Sequence, residues 1–470
     1  MERRWKVLVV TSAVVFMALL DVTIVNIAFT DLGRSFPHDS LADLSWVLNG
    51  YSVVFAAALV PAGRLADRYG RRRLFLAGLL LFLAASVASG LAVSVPVLVA
   101  ARVVQALGAA TVLPTSLSLT LPEFPPERRG TAIALSTAAG AVAAGVGPSL
   151  GGLLVDWQGW RAVFFVNLVI GLPALVAAAR LLRESHEERP KGVPDVLGAL
   201  LLVGAVGGLA LGIVKGADWG WSSGGVLAAF GTAAVLLPLF VLRSFAHATP
   251  VVDLGLFRLR SFTVATLGTF VFGAGFFASL LCNVLFLTTV WDWPVLRAGA
   301  AVTPGPVMAA LTAPLAGRLT DRHGPRVAAV PGTLLFGTGP LLLALTATAE
   351  PHYWPVLFPA ATITGVGVGL SLPALGGAAV LELPPPSLAT GIGMTSALRQ
   401  LGAVVGVAAL VALLGTPGPQ LGGFRHAWLM ITGAGWLAAV VSLALGRVRA
   451  PRPEPERPAR ERTAPLNKAP

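Results

Sequence analysis

The chain has 470 residues, 55% of them hydrophobic and only 12% charged, and a net charge of +12. A soluble domain cannot hide so much apolar surface, since roughly a quarter of an average soluble chain is charged, so the solvent is lipid. The basic residues sit in short loops with no aromatic-lined basic module, which argues against a nucleic-acid partner, and the single cysteine, Cys282, excludes an intramolecular disulfide.

In chain order, the first apolar run, 6–30, is too long for the core of a signal peptide and has no small-residue cleavage site. It is expected to stay as a first spanning helix. Asp21 stands alone inside it, and a charge there costs at least ~2.5–3.5 kcal/mol, so it needs a reason. Spans 45–63 and 74–93 flank the segment Gly63-Arg-Leu-Ala-Asp67-Arg68-Tyr-Gly70-Arg71-Arg-Arg73. Gly63 and Gly70 are expected to permit a tight turn, and Asp67 to cap a helix start and pair with Arg71 or Arg72.

The fourth span, 96–121, carries Arg102. At ~1.5 Å per residue, Asp21 and Arg102 both come to roughly 20 Å from the basic edge of the membrane, so the two can meet. The fifth, 130–155, holds Ala143, Gly147 and Gly151 at four-residue spacing, with Pro148 as an expected kink and Gly152 beside the stripe. A sixth span, 161–182, is followed by a hairpin of two further spans at 196–214 and 223–242.

Six spans complete the count: 262–290, 298–316, 327–349, 354–378, 388–415 and 427–446. The loop after the tenth, Gly317-Arg-Leu-Thr-Asp321-Arg322-His-Gly-Pro-Arg326, repeats the one at Gly63. An acid inside a basic loop in both halves reads as a gate latch rather than a topology signal alone. In the thirteenth span Arg399 lies near the midplane, with Thr395 and Ser396 on its helical face. No histidine lies within a span.

Fourteen spans put both termini on one side, and the positive charge of the N-terminus, Arg64–Arg73, Arg128-Arg129, Arg180–Lys191, Arg243–Arg260, Arg318–Arg326 and the tail makes that side cytoplasmic. The loop around Glu382 has no basic residue. Trp46, Trp157, Trp160, Trp219, Trp221, Trp291, Trp293, Trp354 and Trp428 fall at the outer ends, where interfacial anchors belong. The loop repeat divides the chain into an N-terminal six-helix bundle (1–190), a two-helix insert with its loops (191–247), a C-terminal six-helix bundle (248–448) and a Pro-, Arg- and Glu-rich disordered tail (449–470). The fold class is therefore an all-α polytopic membrane protein.

Several segments resemble the major facilitator superfamily, and within it the fourteen-helix drug:proton antiporters. Leu20-Asp21-Val-Thr-Ile-Val-Asn26 is similar to the first-helix motif, and Gly63–Arg73 to the loop signature, with Asp67, Arg68 and Arg71 at its charged positions. Arg102-Val-Val-Gln105-Ala-Leu-Gly108 resembles the fourth-helix motif associated with proton coupling. Gly147-Pro148-Ser-Leu-Gly151-Gly152 resembles the antiporter motif, with Ala143 in place of its leading glycine; Trp160-Arg161-Ala-Val-Phe-Phe-Val-Asn167 and Arg399-Gln400-Leu-Gly402 also match. Phe286–Trp291 departs from the pattern, lacking a glutamine.

The resemblance implies two bundles working by alternating access in the plasma membrane, exporting drugs, antibiotics or similar amphipathic compounds against proton entry. It needs a proton gradient, no cofactor and no metal, and a monomer is expected. Asp21, Arg102 and Gln105 become proton-coupling candidates, and Asn26, Arg399 and Ser396 substrate-cavity candidates. The loop gate is assigned to Gly63, Asp67, Arg68, Gly70, Arg71, Asp321 and Arg322. An exporter or importer of an endogenous metabolite, or a transport-dead membrane sensor, stays open as an alternative; an enzyme does not fit, for want of a Walker loop, a metal-ligand cluster or a nucleophile constellation.

Overall fold

The computed structural model describes residues 2–125, 129–185, 195–383, 388–415 and 420–445, apart from some side chains within them, among which are those of Asp67 and Asp321. All regular structure among these residues is helical. The first eight helices are α1 (Arg3–Ser35), α2 (Leu41–Tyr69), α3 (Arg71–Gly90), α4 (Val95–Thr120), α5 (Arg129–Gln158), α6 (Ala162–Leu181), α7 (Val196–Trp219) and α8 (Gly224–Ala246). They are followed by α9 (Arg260–Thr289), α10 (Val295–Val302), α11 (Pro304–His323), α12 (Arg326–Thr346), α13 (Phe358–Val380), α14 (Leu388–Leu414) and α15 (Leu421–Leu443). Thirteen helical segments among the described residues are long and apolar enough to cross a bilayer, and the 30-residue α5 makes the fourteenth. The tenth predicted span is divided between α10 and α11, because Pro304 has no N–H to continue the helical ladder.

Within the first bundle α1 packs on α4, α5 and α6, and α3 on α4 and α6. Within the second, α9 packs on α13, α14 and α15, and α12 on α13 and α15. The bundles meet where α2 lies on α14, α1 on α9, and α5 on α10 and α11. Hydrogen bonds join them at Thr30–Thr288 (2.7 Å) and Ser149–Thr303 (2.8 Å). Both lie in the halves of the helices remote from the basic loops. At the basic end, a Cβ added to Gly317, Gly376 or Gly377 would meet nothing within 4 Å.

The small-residue stripe of α5 serves two neighbours. A Cβ on Gly151 would stand 2.8 Å from the Ile24 side chain, and one on Gly147 would strike Thr23, so this face seats α1. A Cβ on Gly152 would stand 2.7 Å from Leu296 Cα, and one on Gly299 would run into the Pro148 carbonyl, so the other face seats α10 of the opposite bundle. Pro148 lies inside a continuous helix, its carbonyl at this bundle interface.

Helices α7 and α8 pack on each other, and α7 also lies against α2 and α14. Asp195 caps α7 by accepting from Gly198 N (2.8 Å) and pairs with Arg243 Nε at the end of α8 (2.6 Å). At the other end of α7, Lys215 pairs with Asp43 (2.6 Å), which also forms the capping box with Ser40 that starts α2.

Two expectations are corrected. The segment Gly63–Arg73 is mostly helix: α2 runs to Tyr69, so Gly63 is helical and only Gly70, at φ 113°, makes the turn. Its counterpart in the second bundle is Gly324 (φ 89°), with Gly317 inside α11. One left-handed residue reverses the chain, so the helices extend until it. The carboxylate that caps α3 comes from Glu184, beyond α6, accepting from Arg72 N (3.0 Å) and Arg73 N (3.2 Å). A Cβ on Gly70 would stand 2.7 Å from that carboxylate. Glu184→Gln is expected to cost about 1 kcal/mol, a typical cap loss, read as a lower melting temperature of the purified protein; an unchanged value would show that the cap contributes nothing.

Tryptophan is the second correction. Trp157, Trp219, Trp221 and Trp354 are exposed, as interfacial anchors should be. Trp160, Trp291, Trp293 and Trp428 are buried inside the protein. Three of these have their indole N–H met by protein rather than headgroups: Trp428 Nε1 donates to Asn283 (3.1 Å), Trp291 Nε1 to Thr348 O (3.0 Å) and Trp160 Nε1 to Ser35 Oγ (3.0 Å).

Candidate functional site

Asp21 and Arg102 meet as the helix rise requires. Their side chains are 0% and 1% exposed, and Arg102 Nη1 donates to Asp21 Oδ2 at 2.5 Å. Gln105, one turn beyond Arg102, accepts from Arg102 Nη1 (2.7 Å) and donates through Nε2 to Asp21 Oδ1 (2.9 Å). Asn167 of α6 donates to the same oxygen at 2.8 Å and to Ser86 Oγ at 2.8 Å. Ser86 Oγ in turn donates to Phe164 O (3.0 Å). Arg102 also donates to Val47 O (3.3 Å), and its guanidinium lies 4.2 Å from the centre of the Tyr51 ring.

Both oxygens of the carboxylate are thus held by protein donors, three in all, and the cation is enclosed by a carboxylate, an amide, a carbonyl and an aromatic face. That is what a charge pair needs in order to exist where no water can solvate it. Breaking such a pair at one partner strands the other, so the state of Asp21 controls whether Arg102 has a counter-charge.

The register of α6 explains how Asn167 reaches the cluster. Trp160, just before α6, gives its backbone N–H to Asp31 (2.9 Å) and its indole N–H to Ser35 (3.0 Å), both near the end of α1. Asn167 follows two turns later, at the depth of Asp21. Ser86, Tyr51 and Asn167 were not among the coupling residues expected from the sequence. Asn167 could have been found, as the polar end of a recognised motif; Ser86 and Tyr51 carry no signal beyond polarity within a span.

The other candidates divide between two places. Asn26 is buried, bonds back to Val22 O (2.8 Å), and lines a small cleft with Tyr51 and Arg102 on one side and Phe277, Ala403 and Val407 of the opposite bundle on the other. The ion pair therefore lies one side chain away from the bundle interface. Arg399 and Ser396 line a separate cavity of about 100 Å3 within the second bundle, with Thr269, Thr395, Leu372, Gly376 and Ile392. Of the loop-gate candidates, Arg68 and Arg322 are exposed, and the side chains of Asp67 and Asp321 lie outside the described residues. Among the described residues no group of three or more His, Cys, Asp or Glu comes together to hold a metal.

Two six-helix bundles with a hairpin between them, closed on each other at one end and carrying a charge pair at membrane depth, define a multi-pass membrane carrier. The chain belongs to the Major Facilitator Superfamily, a superfamily of transporters, whose family profile matches residues 11–259 and 265–469. It is 36% identical over 410 residues to the multidrug resistance protein Stp of Mycobacterium tuberculosis, covering 87% of this chain and 75% of that one. It is 32% identical over 418 residues to the tetracenomycin C resistance and export protein of Streptomyces glaucescens, covering 88% and 76%. A methylenomycin A resistance protein of Bacillus subtilis is 30% identical over 444 residues, 93% of each chain. Among solved structures, a bacterial homologue of the human lysosomal transporter Spinster superposes with a TM-score of 0.66 over 95% of this chain and 98% of that one, at 18% identity. That likeness speaks for the fold.

Proposed function

We propose that this protein is a secondary active exporter of the plasma membrane, moving drugs, antibiotics or similar small amphipathic compounds outward in exchange for protons. The observation that carries the reading is the Asp21–Arg102 pair, wholly buried at membrane depth and one side chain from the opposite bundle. The relatives named for multidrug resistance, resistance and export support the drug class. In this reading residues 1–190 and 248–448 rock against each other, the hairpin within 191–247 stays outside the path, and both termini face the cytoplasm. The tail, 449–470, lies outside the described residues. Protonating Asp21 removes the charge that holds Arg102, and the cluster rearranges beside the interface with α14. Gln105 and Asn167 keep the protonated carboxyl hydrogen-bonded while it is buried. The energy comes from the gradient, and the protein works as a monomer.

The test is growth of a drug-sensitive host across antibiotic and dye classes, with and without expression. Protection against at least one compound, abolished by a protonophore, is expected; protection against none, or protection indifferent to the protonophore, would overturn the proposal. The gate residues are part of the same reading. Asp67→Asn is expected to reduce transport severalfold with membrane insertion intact, because the basic residues that set topology remain. Unchanged efflux from an equal amount of inserted protein would leave that loop a topology signal only.

A further inference from the structure

Among the described residues, the second bundle contains a cation with no counter-charge beside it. Arg399 lies in the middle of α14, with its Nε buried and without a partner, and among the described residues its side chain makes no hydrogen bond, ion pair or ring contact. Arg102, at comparable depth, is held by a carboxylate, an amide oxygen and a carbonyl. Arg399 is half-buried, its terminal nitrogens open to the cavity, so an unpaired guanidinium there costs up to ~2.5–3.5 kcal/mol and less where water reaches it. A chain that keeps one there gains by pairing it in some other state.

The surroundings state what that pairing requires. Arg399 lines the cavity of about 100 Å3 between α9, α13 and α14. Ser396, one turn before it, shares that wall. Thr269 and Thr395 already donate to Ala265 O (2.7 Å) and Gly391 O (2.9 Å), and Thr395 Oγ1 also meets Thr266 Oγ1 (3.4 Å), so what the two hydroxyls offer the cavity is their remaining acceptor capacity. The cavity is shut beside Arg399, where Gly273 brings the α9 backbone so close that a Cβ there would touch Arg399 O at 2.5 Å. Toward the basic end it opens: Ile392 is 48% exposed and Gly376 faces empty space. Leu372 and Ile392 give it apolar flanks.

We infer that this cavity is a subsite for the anionic group of an amphipathic substrate, a carboxylate or sulfonate, with Arg399 as its counter-charge. The inference rests on the exporter reading. The guanidinium fork supplies donors to an oxyanion, and the threonine hydroxyls accept from a neighbouring hydroxyl or amide of the same compound. The apolar flanks take its hydrocarbon body. The two bundles then divide the work, one holding the titratable acid and the other the fixed cation that reads the cargo.

The experiment uses purified full-length protein in lipid nanodiscs and three fluorescent probes: 1-pyrenebutyrate, its neutral amide, and ethidium as a cation. Affinities are read by fluorescence anisotropy. The wild type is expected to prefer the acid over the amide by roughly ten- to hundredfold, the size of one charge-assisted hydrogen bond. Arg399→Gln should erase that preference while leaving amide affinity in place, and Arg399→Lys should keep part of it. A wild type that binds the acid no better than the amide overturns the inference, as does a preference that survives Arg399→Gln. Should that variant fail to fold, the wild-type acid-to-amide ratio decides alone. Transport of the same probes into vesicles separates the two readings. Ethidium export with no acid preference would remove the anionic subsite and keep the exporter; acid binding through Arg399 with no transport of any probe under a pH gradient would do the reverse.

Discussion

Asp21→Asn is expected to abolish proton-driven efflux and, on its own, to destabilise the protein by about 3–5 kcal/mol, because it strands a buried arginine. Arg102 is 1% exposed and its strongest partner is the Asp21 carboxylate at 2.5 Å, so no water replaces the lost charge. The instability must be separated from the loss of coupling, and a second substitution does this. Asp21→Asn with Arg102→Met removes both charges together and should recover most of the stability, since a buried pair is often replaceable by neutral groups at little cost. Efflux should not recover, because nothing is left to titrate. A merely structural lock makes the opposite forecast: melting temperature and efflux would fall together and return together. Recovery of pH-dependent efflux in the double variant would therefore place Asp21 outside the mechanism.

The second large effect concerns closure of the end remote from the basic loops. Gly299 of α10 rests on the carbonyl of Pro148, and Gly152 lies 2.7 Å from Leu296 by the same measure of an added Cβ. Gly299→Val inserts a branched side chain where backbone meets backbone. Overpacking of that kind costs about 1–3 kcal/mol, which moves the balance between closed and open forms by roughly five- to hundredfold. Transport should fall by a similar factor, with the protein still inserted. The closed form can be read directly. In a Cys282→Ala background, cysteines placed at Thr30 and Thr288, whose hydroxyls lie 2.7 Å apart, should cross-link readily in the native sequence and poorly with Gly299→Val. Equal cross-linking and equal transport in both would show that this contact does not govern closure.

Much of this arrangement was legible in the residues because lipid leaves few options. Apolar length marked the spans, which the structure forms as helices, and Gly63–Arg73 with its copy at Gly317 pointed to two halves. Axial rise alone brought Asp21 and Arg102 to one depth, and the structure joins them. Depth is one coordinate, however, and contact needs the azimuth of each helix as well. Ser86 and Tyr51 were invisible for that reason: polarity within a span does not say which neighbour a side chain faces. Glu184 was missed because the acid that caps α3 lies 112 residues from Arg72. The tryptophans were read as lipid anchors from position along the chain, and position does not distinguish Trp157 at the surface from Trp160 in the core. Arg399 could be placed at the midplane, but that it has no partner among the described residues is a property of three helices at once.

The most direct test of the central claim, that substrate leaves as protons enter through Asp21, is proton counterflow in reconstituted vesicles. Full-length protein is placed in liposomes holding a pH-sensitive dye, and a protected compound from the growth assay is added to one side. The wild type should carry protons against the substrate flow, with a flux that rises and falls with substrate and ceases without it. The Asp21→Asn, Arg102→Met variant, folded and still binding the compound, should carry none. Substrate-driven proton flux through that variant, or substrate flux in the wild type with no proton movement, would contradict the account.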